Sequence, residues 1–272
     1  MKDQTLYLVP TPIGNLADIT YRAVEVLRLV DYIYAEDTRV SRVLLNHYQI
    51  KTPLKSYHQF NEKERCLEIT NLLQQKKKIA LISDAGTPGI SDPSNIVVKH
   101  VIDKGFFVCA LPGATALIPA LVASGMDSKN FYMAGFLPPK KSEKAKLLNW
   151  LKNFEIPIIF YEAPHRLLKF FHEINHYLGN CEVCIAKEIS KIHESYYHGK
   201  LNELINNLQI IILKGEFVIV VIPEKKIFTV DDEINHLLAQ KYSHLPLSEA
   251  SKKLAIELNI SKNYVYQFLL KR

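Results

Sequence analysis

Short apolar runs alternate with helix-forming segments along the first part of the chain. The predicted strands have the length and composition of buried strands and cover residues 6–9, 32–35, 79–83 and 106–111. The segments between them carry apolar residues at helical spacing and predict helices over 19–30, 41–47, 62–75 and 94–103. Thr20 is the expected N-cap of the first helix. Strands that alternate with helices in this way predict a mostly parallel sheet covered on both faces.

A second group of apolar runs begins after a basic tract at residues 140–152. Its predicted strands are 156–161, 183–187 and 217–222, and its predicted helices are 165–177 and 200–208. Residues 117–135 are interpreted as the crossover that leads into this part of the chain. The pattern therefore predicts a fold of class α/β with two α/β domains, 1–116 and 117–223.

The remaining residues, 224–272, predict a small helical extension. Leu247, Ala250 and Leu254 fall on one helical face, with Ser248 as the expected N-cap, and Ser261 is placed to cap a second short helix. Two helices joined by a tight turn are typical of a helix-turn-helix unit. A helical pair that packs on the second domain or on a partner subunit has the same pattern, and both interpretations remain open.

Loops rich in turn residues follow four of the predicted strands, at residues 10–15, 36–39, 84–92 and 112–115. In sheets of this kind ligands bind beyond the carboxyl ends of the strands, so these loops predict a common binding site. The first loop has only Gly14, and neither a G-x-G-x-x-G nor a Walker pattern occurs in the chain. A ligand without phosphates, such as S-adenosylmethionine, fits these loops better than a dinucleotide.

The loop after the third predicted strand is the most specific of the four. Ala85, Gly86 and Gly89 are small enough to let the backbone approach a bound molecule. Asp84, Thr87 and Asp92 supply polar groups in the same loop. A structural turn in which the aspartates bond their own backbone is the competing interpretation.

Charged residues end two predicted strands of the second domain. Glu162 is followed by Arg166, and Lys187 is followed by Glu188. Methyl transfer to a hydroxyl needs in-line alignment and a group that removes a proton, which makes these four residues the candidate catalytic residues. Charged pairs at strand ends are also common structural features, and His165 is equally explained as a residue of a helical first turn.

The composition of the chain limits where the protein can act and which ligands and partners it can bind. No run of about 18 apolar residues occurs and the amino terminus lacks an apolar segment of signal-peptide length, so we expect a cytoplasmic protein without a membrane segment. Cys181 and Cys184 form a C-x-x-C without a second ligand pair, which favours strand packing over a metal site. The net charge of +6 is compatible with a polyanionic partner but does not establish one.

Seven segments, taken together, resemble a known family. They occur in the order LYLVPTPIGNLADIT, AEDTR, LISDAGTPGISDP, LPGATA, FYEAPHRL, KEISKIHE and KGEFVIVV. They closely resemble the bacterial 16S ribosomal RNA cytidine 2′-O-methyltransferases, a branch of the tetrapyrrole methylase family (class III S-adenosylmethionine-dependent methyltransferases). The resemblance covers about residues 5–223, and the tail also looks like the carboxyl-terminal extension of that branch.

The resemblance implies two α/β domains with an S-adenosylmethionine cleft between them, commonly in a homodimer. It places cofactor contacts at Thr11, Pro12, Gly86, Thr87, Pro88, Ile90, Thr115, Ala116, Ala163 and Ala186. Asp84, a polar residue of the loop after the third predicted strand, is a further candidate cofactor contact. The implied substrate is the ribose 2′-hydroxyl of a cytidine in the decoding region of 16S ribosomal RNA, within the small ribosomal subunit.

Two other functions compete with this one. A methyltransferase of the same fold acting on a tetrapyrrole or a protein side chain, such as a modified histidine, shares the cofactor loops. Relatives that methylate tetrapyrroles carry a glycine-rich first loop and a G-D-P, whereas this chain has P-T-P-I-G-N and G-T-P. The basic tract at 140–152 and Lys76–Lys78 also favour RNA. A non-catalytic RNA-binding module would leave the cofactor-like loops unexplained.

Overall fold

The computed structural model of the chain describes residues 3–92, 94–207, 214–224 and 230–271. These residues form two units, of which the first ends at Glu224 and the second follows it. Within the described ranges, no helix is long and apolar enough to span a membrane.

The first half of the larger unit is built on a parallel sheet, as predicted. Its strands are β1 (Thr5–Leu8), β2 (Tyr32–Ala35), β3 (Leu54–Ser56), β4 (Ile79–Ile82) and β5 (Phe107–Ala110). Their order across the sheet is β3-β2-β4-β1-β5, and each pair is parallel. The chain passes from β1 to β2 over one face of the sheet and from β4 to β5 over the other, so the loops after these adjacent strands lead to opposite faces.

Four helices cover the two faces of this sheet. They are α1 (Tyr21–Leu29), α2 (Thr38–His47), α3 (Glu62–Gln74) and α4 (Ser94–Asp103). Because successive strand residues point to opposite faces, Tyr7 and Val9 pack with α1 and α2, whereas Leu6 and Leu8 pack with α3 and α4. The predicted N-cap of α1 is confirmed, since Thr20 Oγ1 accepts a hydrogen bond of 3.1 Å from the Ala23 N–H.

The second half contains a mixed sheet. Its elements in chain order are α5 (Leu117–Ala123), β6 (Tyr132–Gly135), α6 (Lys141–Leu151), β7 (Ile158–Glu162), α7 (Leu167–Leu178), β8 (Glu182–Lys187), β9 (Ser195–Lys200), α8 (Leu201–Asn206) and β10 (Phe217–Ile222). The strand order is β6-β7-β10-β8-β9. Only β6 and β7 are parallel, and β10 runs antiparallel to both of its neighbours.

Helices α6, α7 and α8 pack on one face of the mixed sheet, and α5 packs on the other. Ile13, from the loop after β1, packs against the same cluster as α5. Ser190 Oγ also bonds the Asp18 carboxylate across the two halves. The first loop of one half is therefore part of the packing of the other half, which fixes the position of the binding loops.

Several elements depart from the sequence prediction. The supposed crossover at 117–135 contains α5 and β6, and the prediction missed β3, α6 and β9. Strands β3, β6 and β9 contain no fully buried residue, so they lack the apolar runs on which the prediction relied. Helix α2 begins at Thr38 rather than near residue 41, because Asp37 Oδ1 caps it by accepting the Arg39 N–H at 2.8 Å. The predicted helix 200–208 ends at Asn206, and its last residue lies outside the described ranges.

Both cysteines of the C-x-x-C are buried free thiols that pack in the second half. Cys184 lies within β8 and Cys181 directly precedes it. Burial raises the pKa of each thiol to about 11. Both thiols therefore stay protonated near neutral pH, as expected for cysteines that pack in a core.

The smaller unit consists of α9 (Val230–Leu237), a π-helical turn (Leu238–Tyr242), α10 (Leu247–Glu257) and α11 (Lys262–Leu270). Its core contains Ile234, Leu254, Val265 and Leu269. The predicted N-cap of α10 was wrong, because the helix begins at Leu247 after Pro246 and Ser248 lies inside its first turn. Ser261 does occupy the N-cap position of α11, although its side chain makes no capping hydrogen bond.

The central strand β10 offers a test of the core. Ile219 is fully buried between the helices and its two neighbouring strands, whereas Ile192 is 98% exposed. We expect Ile219→Ala to lower the free energy of unfolding by about 2–5 kcal/mol, since a cavity replaces the lost methyl groups. Ile192→Ala is the matched control and should change it by less than about 0.5 kcal/mol. Chemical denaturation measures both, and equal effects would contradict the topology.

Candidate functional site

A cavity of about 310 Å³ lies where the loops of the two halves of the larger unit meet. From the first half and the α5 junction it is lined by Ile13, Ala85, Gly86, Thr87, Ile90, Thr115 and Ala116. From the second half it is lined by Phe136, Tyr161, Glu162, Ala163, Pro164, Gly215, Glu216, Phe217 and Val218. The loops predicted to share a site therefore converge, with β7 and β10 forming the opposite wall.

Reciprocal backbone bonds hold the loops after β1 and β4 together. Thr11 N–H donates to the Gly86 carbonyl at 2.9 Å, and Gly86 N–H donates to the Thr11 carbonyl at 3.0 Å. The Thr11 hydroxyl bonds the Ser83 carbonyl at 3.0 Å, and the Ser83 hydroxyl bonds the Gly86 carbonyl at 2.9 Å. Gly86 has φ of +80°. This left-handed conformation favours glycine and brings backbone, rather than a side chain, to the cavity wall.

Polar side chains of the same loop stabilise its shape. Thr87 Oγ1 donates to the Ala114 carbonyl at 2.9 Å, which joins this loop to the next one. The Asp92 carboxylate accepts the N–H groups of Gly89 and Ser94, each at 2.8 Å. The structural-turn interpretation thus holds for Asp92, while Gly86, Thr87 and Ile90 line the cavity.

The predicted cofactor residues divide between two neighbouring cavities. Gly86, Thr87, Ile90, Thr115, Ala116 and Ala163 line the cavity described above. Thr11, Pro12 and Asp84 instead line a second cavity of about 340 Å³ against α2. Asp84 Oδ1 accepts the Asp37 N–H at 2.9 Å, which fixes the end of β2.

Two predicted cofactor residues line neither cavity. Pro88 lies between Thr87 and Gly89 in the turn of the loop and is not part of either wall. Ala186 is fully buried in β8, where it pairs with the lining residue Val218.

The second-half wall is largely aromatic and apolar. Phe136 is 53% exposed at the cavity, and its ring lies 5.7 Å from that of Tyr161. Burial raises the pKa of the Tyr161 phenol, and the hydrogen bond from Thr115 acts in the opposite direction. Tyr161 therefore stays neutral near physiological pH and presents an uncharged ring to the cavity.

Glu162 is the most buried charged group of the wall, with 4% of its surface exposed. Its Oε1 accepts the Ala163 N–H at 2.8 Å and lies 3.1 Å from Arg166 Nε. Glu216 adds a second carboxylate, of which 75% is exposed. Among the described residues that line the cavity there is no lysine or arginine. Each carboxylate is paired with a cation outside the lining, Glu162 with Arg166 and Glu216 Oε2 with Lys191 Nζ at 3.3 Å, so the described wall is close to neutral and offers no cation to a phosphate.

The other candidate catalytic residues lie outside this lining. Lys187 ends β8, opposite Phe217 and Ser195, with 5% of its surface exposed. Arg166 reaches the site only through its contact with Glu162. Of the four candidates, the structure brings one, Glu162, to the cavity wall.

Glu188 joins β8 to the loop before β10. Its Oε1 accepts two hydrogen bonds, from the Lys191 ammonium at 2.8 Å and from the Glu216 N–H at 2.9 Å. Its own N–H donates a hydrogen bond to the Glu216 carbonyl at 2.9 Å. The hydrogen bond from Lys191 holds the pKa of Glu188 below its ordinary value. A Cβ on Gly215, whose φ is +94°, would lie 2.3 Å from Glu188 Cδ. The close approach of Glu188 therefore requires glycine at position 215. The hydrogen bonds between Glu188 and Glu216 hold this rim of the cavity in place.

Four residues that line the cavity were not predicted from the sequence as site residues: Phe136, Tyr161, Gly215 and Glu216. The prediction relied on the rule that ligands bind at the carboxyl ends of parallel strands. Because β10 is antiparallel to β7 and β8, its amino end lies at that edge, and Gly215 and Glu216 precede it. The Lys-Gly-Glu segment before the last strand was the available signal.

The sequence of this chain is similar to those of known methyltransferases. Residues 5–205 match the family described as Tetrapyrrole (Corrin/Porphyrin) Methylases. Proteins named ribosomal RNA small subunit methyltransferase I are similar over nearly the whole chain. The one from Bacillus subtilis is 41% identical, with 96% of this chain and 92% of the relative covered. The one from Synechocystis is 42% identical, with 97% of each covered.

Solved structures share the fold at low sequence identity. Diphthine synthase superposes with a TM-score of 0.65 at 12% identity, covering 81% of this chain and 90% of that one. A uroporphyrin-III C-methyltransferase from Thermus thermophilus, complexed with S-adenosylhomocysteine, gives 0.55 at 16% identity, covering 79% and 96%. The two-sheet α/β fold predicted from the sequence is confirmed.

The Glu188 contact predicts a pH-dependent loss of stability. A depressed carboxyl pKa stabilises the folded state above the ordinary value of 4.5, and this contribution is lost as the pH falls through the lowered pKa. We expect Glu188→Gln to cost about 1–2 kcal/mol near neutral pH, with the difference from wild type vanishing in acid. Urea unfolding across the pH range measures this.

Glu143→Gln is the control for that experiment. Glu143 pairs with Lys140 at the same i,i+3 spacing, but more than half of each side chain is exposed. Its substitution should cost less than about 0.5 kcal/mol at any pH. A Glu188→Gln deficit that persists unchanged at low pH would contradict the assignment.

Proposed function

Because the chain belongs to the tetrapyrrole (corrin/porphyrin) methylase family, we propose that it transfers a methyl group from S-adenosylmethionine to ribosomal RNA. The acceptor in this proposal is the ribose 2′-hydroxyl of a cytidine in the decoding region of 16S ribosomal RNA, within the small ribosomal subunit. The protein acts in the cytoplasm as a homodimer.

One observation carries the cofactor proposal. The cavity is lined by backbone from glycine-containing loops, by aromatic and aliphatic side chains and by two carboxylates. S-adenosylmethionine combines an aromatic base with a cationic sulfonium and an amino acid. The apolar wall suits the base, and the described lining contains carboxylates and no cation that would repel the sulfonium. These residues thus fit the cofactor.

The substrate proposal rests on the relatives and on the motifs. Proteins 36–45% identical to this chain carry the name of a small-subunit ribosomal RNA methyltransferase. The seven ordered motifs narrow the proposal to the cytidine 2′-hydroxyl. The tetrapyrrole and diphthine enzymes among the solved structures are only 12–16% identical, so they support the shared fold and not the substrate.

Glu162 is the proposed group that handles the proton, because it is the one candidate catalytic residue in the described lining of the cavity. S-adenosylmethionine supplies, when bound, an electrophilic methyl group on sulfur. Both contacts described for the carboxylate use Oε1, and the proposal assigns the other oxygen, Oε2, to accept the hydrogen bond of the ribose hydroxyl. Arg166 and the Ala163 N–H hold the carboxylate in orientation. In this proposal Glu162 orients the hydroxyl and accepts its proton as the methyl group is transferred.

The decisive test of the substrate uses tritiated S-adenosylmethionine, the purified protein and small ribosomal subunits from a strain that lacks the gene. We expect label in the 2′-O-methyl group of one decoding-region cytidine, identified by nuclease mapping. Subunits from the parental strain, already methylated, are the control and should take up little label. Label in a protein or a tetrapyrrole, with none in RNA, would replace this substrate with the alternative one.

The role of Glu162 has its own test. Glu162→Gln keeps the shape and the contacts of the side chain but cannot accept a proton, so we expect kcat to fall by roughly 10²–10⁴-fold. Binding of the cofactor, measured by calorimetry, should change by only a few-fold. Glu216→Gln removes the exposed carboxylate of the same cavity and should leave kcat within about threefold of wild type. Full turnover by Glu162→Gln would exclude it as the base.

A further inference from the structure

A groove of about 660 Å³ runs between helices α6 and α7, outside the cavity described above. On the α6 side it is lined by Lys141, Lys144 and Ala145. On the α7 side it is lined by a polar stripe that includes His165, Lys169, His172 and His176. Lys169, His172 and His176 recur at helical spacing on α7, and His165 lies in the short turn of helix (Pro164–Arg166) that precedes it.

The groove has a net positive charge. Glu173 is the one carboxylate among its described lining residues, and it is bonded to Lys144 at 2.7 Å. Lys141 and Lys169 are exposed, and within the described part of the chain no carboxylate is within ion-pair distance of either. The imidazoles of His165, His172 and His176 are also exposed and add N–H donors along the same stripe.

This groove begins where the cofactor cavity ends. Ala163 and Pro164 line the cavity, and the next residue, His165, lines the groove. From Lys169 to His176 the helix rises by about 10 Å. At about 3.4 Å per nucleotide along a stacked strand, that distance spans about three nucleotides.

We propose that the α6–α7 groove binds the phosphodiester backbone of the RNA strand next to the methylated nucleotide. The inference rests on the proposed function and names the surface that positions its substrate. Lys141 and Lys169 neutralise phosphates, and the histidines donate hydrogen bonds to phosphate oxygens. The strand leaves the cavity past Pro164 and follows α7. Such contacts fix the register of the RNA without reading its bases.

Charge complementarity selects RNA over a protein helix as the occupant. A helix that docks in a groove buries a row of apolar anchors. The apolar groups here are few: Leu168, which is 47% exposed, Ala145 and the ring of Tyr177. Ammonium and imidazole groups make up most of the rest, and these are the donors that phosphates require.

The double variant Lys141→Gln/Lys169→Gln tests the proposal in the full chain. The probe is a transcript of small-subunit ribosomal RNA whose affinity is measured at salt concentrations of about 0.05–0.3 M. Loss of two phosphate contacts should reduce the slope of log K against log salt by about 1.4. The KM for RNA should rise about tenfold near 0.1 M salt, with kcat and the KM for S-adenosylmethionine unchanged.

Lys51→Gln/Lys104→Gln is the charge-matched control. Both lysines are exposed on the first half, outside the groove and the cavity. This variant loses the same net charge, so it should retain the wild-type slope and KM. If the two double variants behave alike, the effect is one of overall charge and the groove is not a binding site.

Glu173→Gln gives an effect in the opposite direction. It removes the carboxylate that neutralises Lys144, so we expect tighter RNA binding. The slope of log K against log salt should become steeper by about 0.7. A slope that is unchanged in both Glu173→Gln and Lys141→Gln/Lys169→Gln would overturn the proposal. Failure of the wild-type protein to methylate ribosomal RNA would instead overturn the proposed function, so the two failures are distinguishable.

Discussion

The two backbone hydrogen bonds between Thr11 and Gly86 are the constraint on which the site depends. They join the loops after β1 and β4, the strands at which the chain turns towards opposite edges of the first sheet. Once these loops are joined, Ile13 can reach the core of the second half. The site therefore depends on the adjacent central strands β1 and β4, whose loops lead to opposite faces of the sheet.

Backbone, rather than charged side chains, forms most of the first-half wall, and this accounts for the chemistry of the site. A wall of peptide groups and small residues can approach an uncharged ring closely and adds no net charge. The charged groups lie on the second-half wall, where Glu162 is paired with Arg166 and Glu216 with Lys191. The first half thus determines the shape of the cavity wall, and the second half provides its charged groups.

Much of this arrangement could be predicted from the sequence. The apolar runs of β1, β2 and β4 are continuous because both faces of a parallel sheet are buried, so they were found. Strands β6 and β9 lie at sheet edges, where packing does not demand an apolar run, and they were missed. Within the site, Gly86 and Thr87 could be predicted from loop composition. The Lys-Gly-Glu segment marked Glu216 only as a polar residue before a strand, because its place in the site depends on the antiparallel direction of β10, which no local pattern encodes.

The position of β10 also bears on how the protein is made. It is the last strand of the larger unit in the chain, yet it lies at the centre of the mixed sheet, between β7 and β8. Until residue 222 has emerged from the ribosome, the second half has two separate strand pairs, each with an apolar edge open to solvent. The first sheet and its four helices all lie before residue 111 and can form earlier. Synthesis thus leaves an interval in which a formed first sheet is attached to an incomplete second sheet with open strand edges, and a pause in translation just before β10 would prolong it.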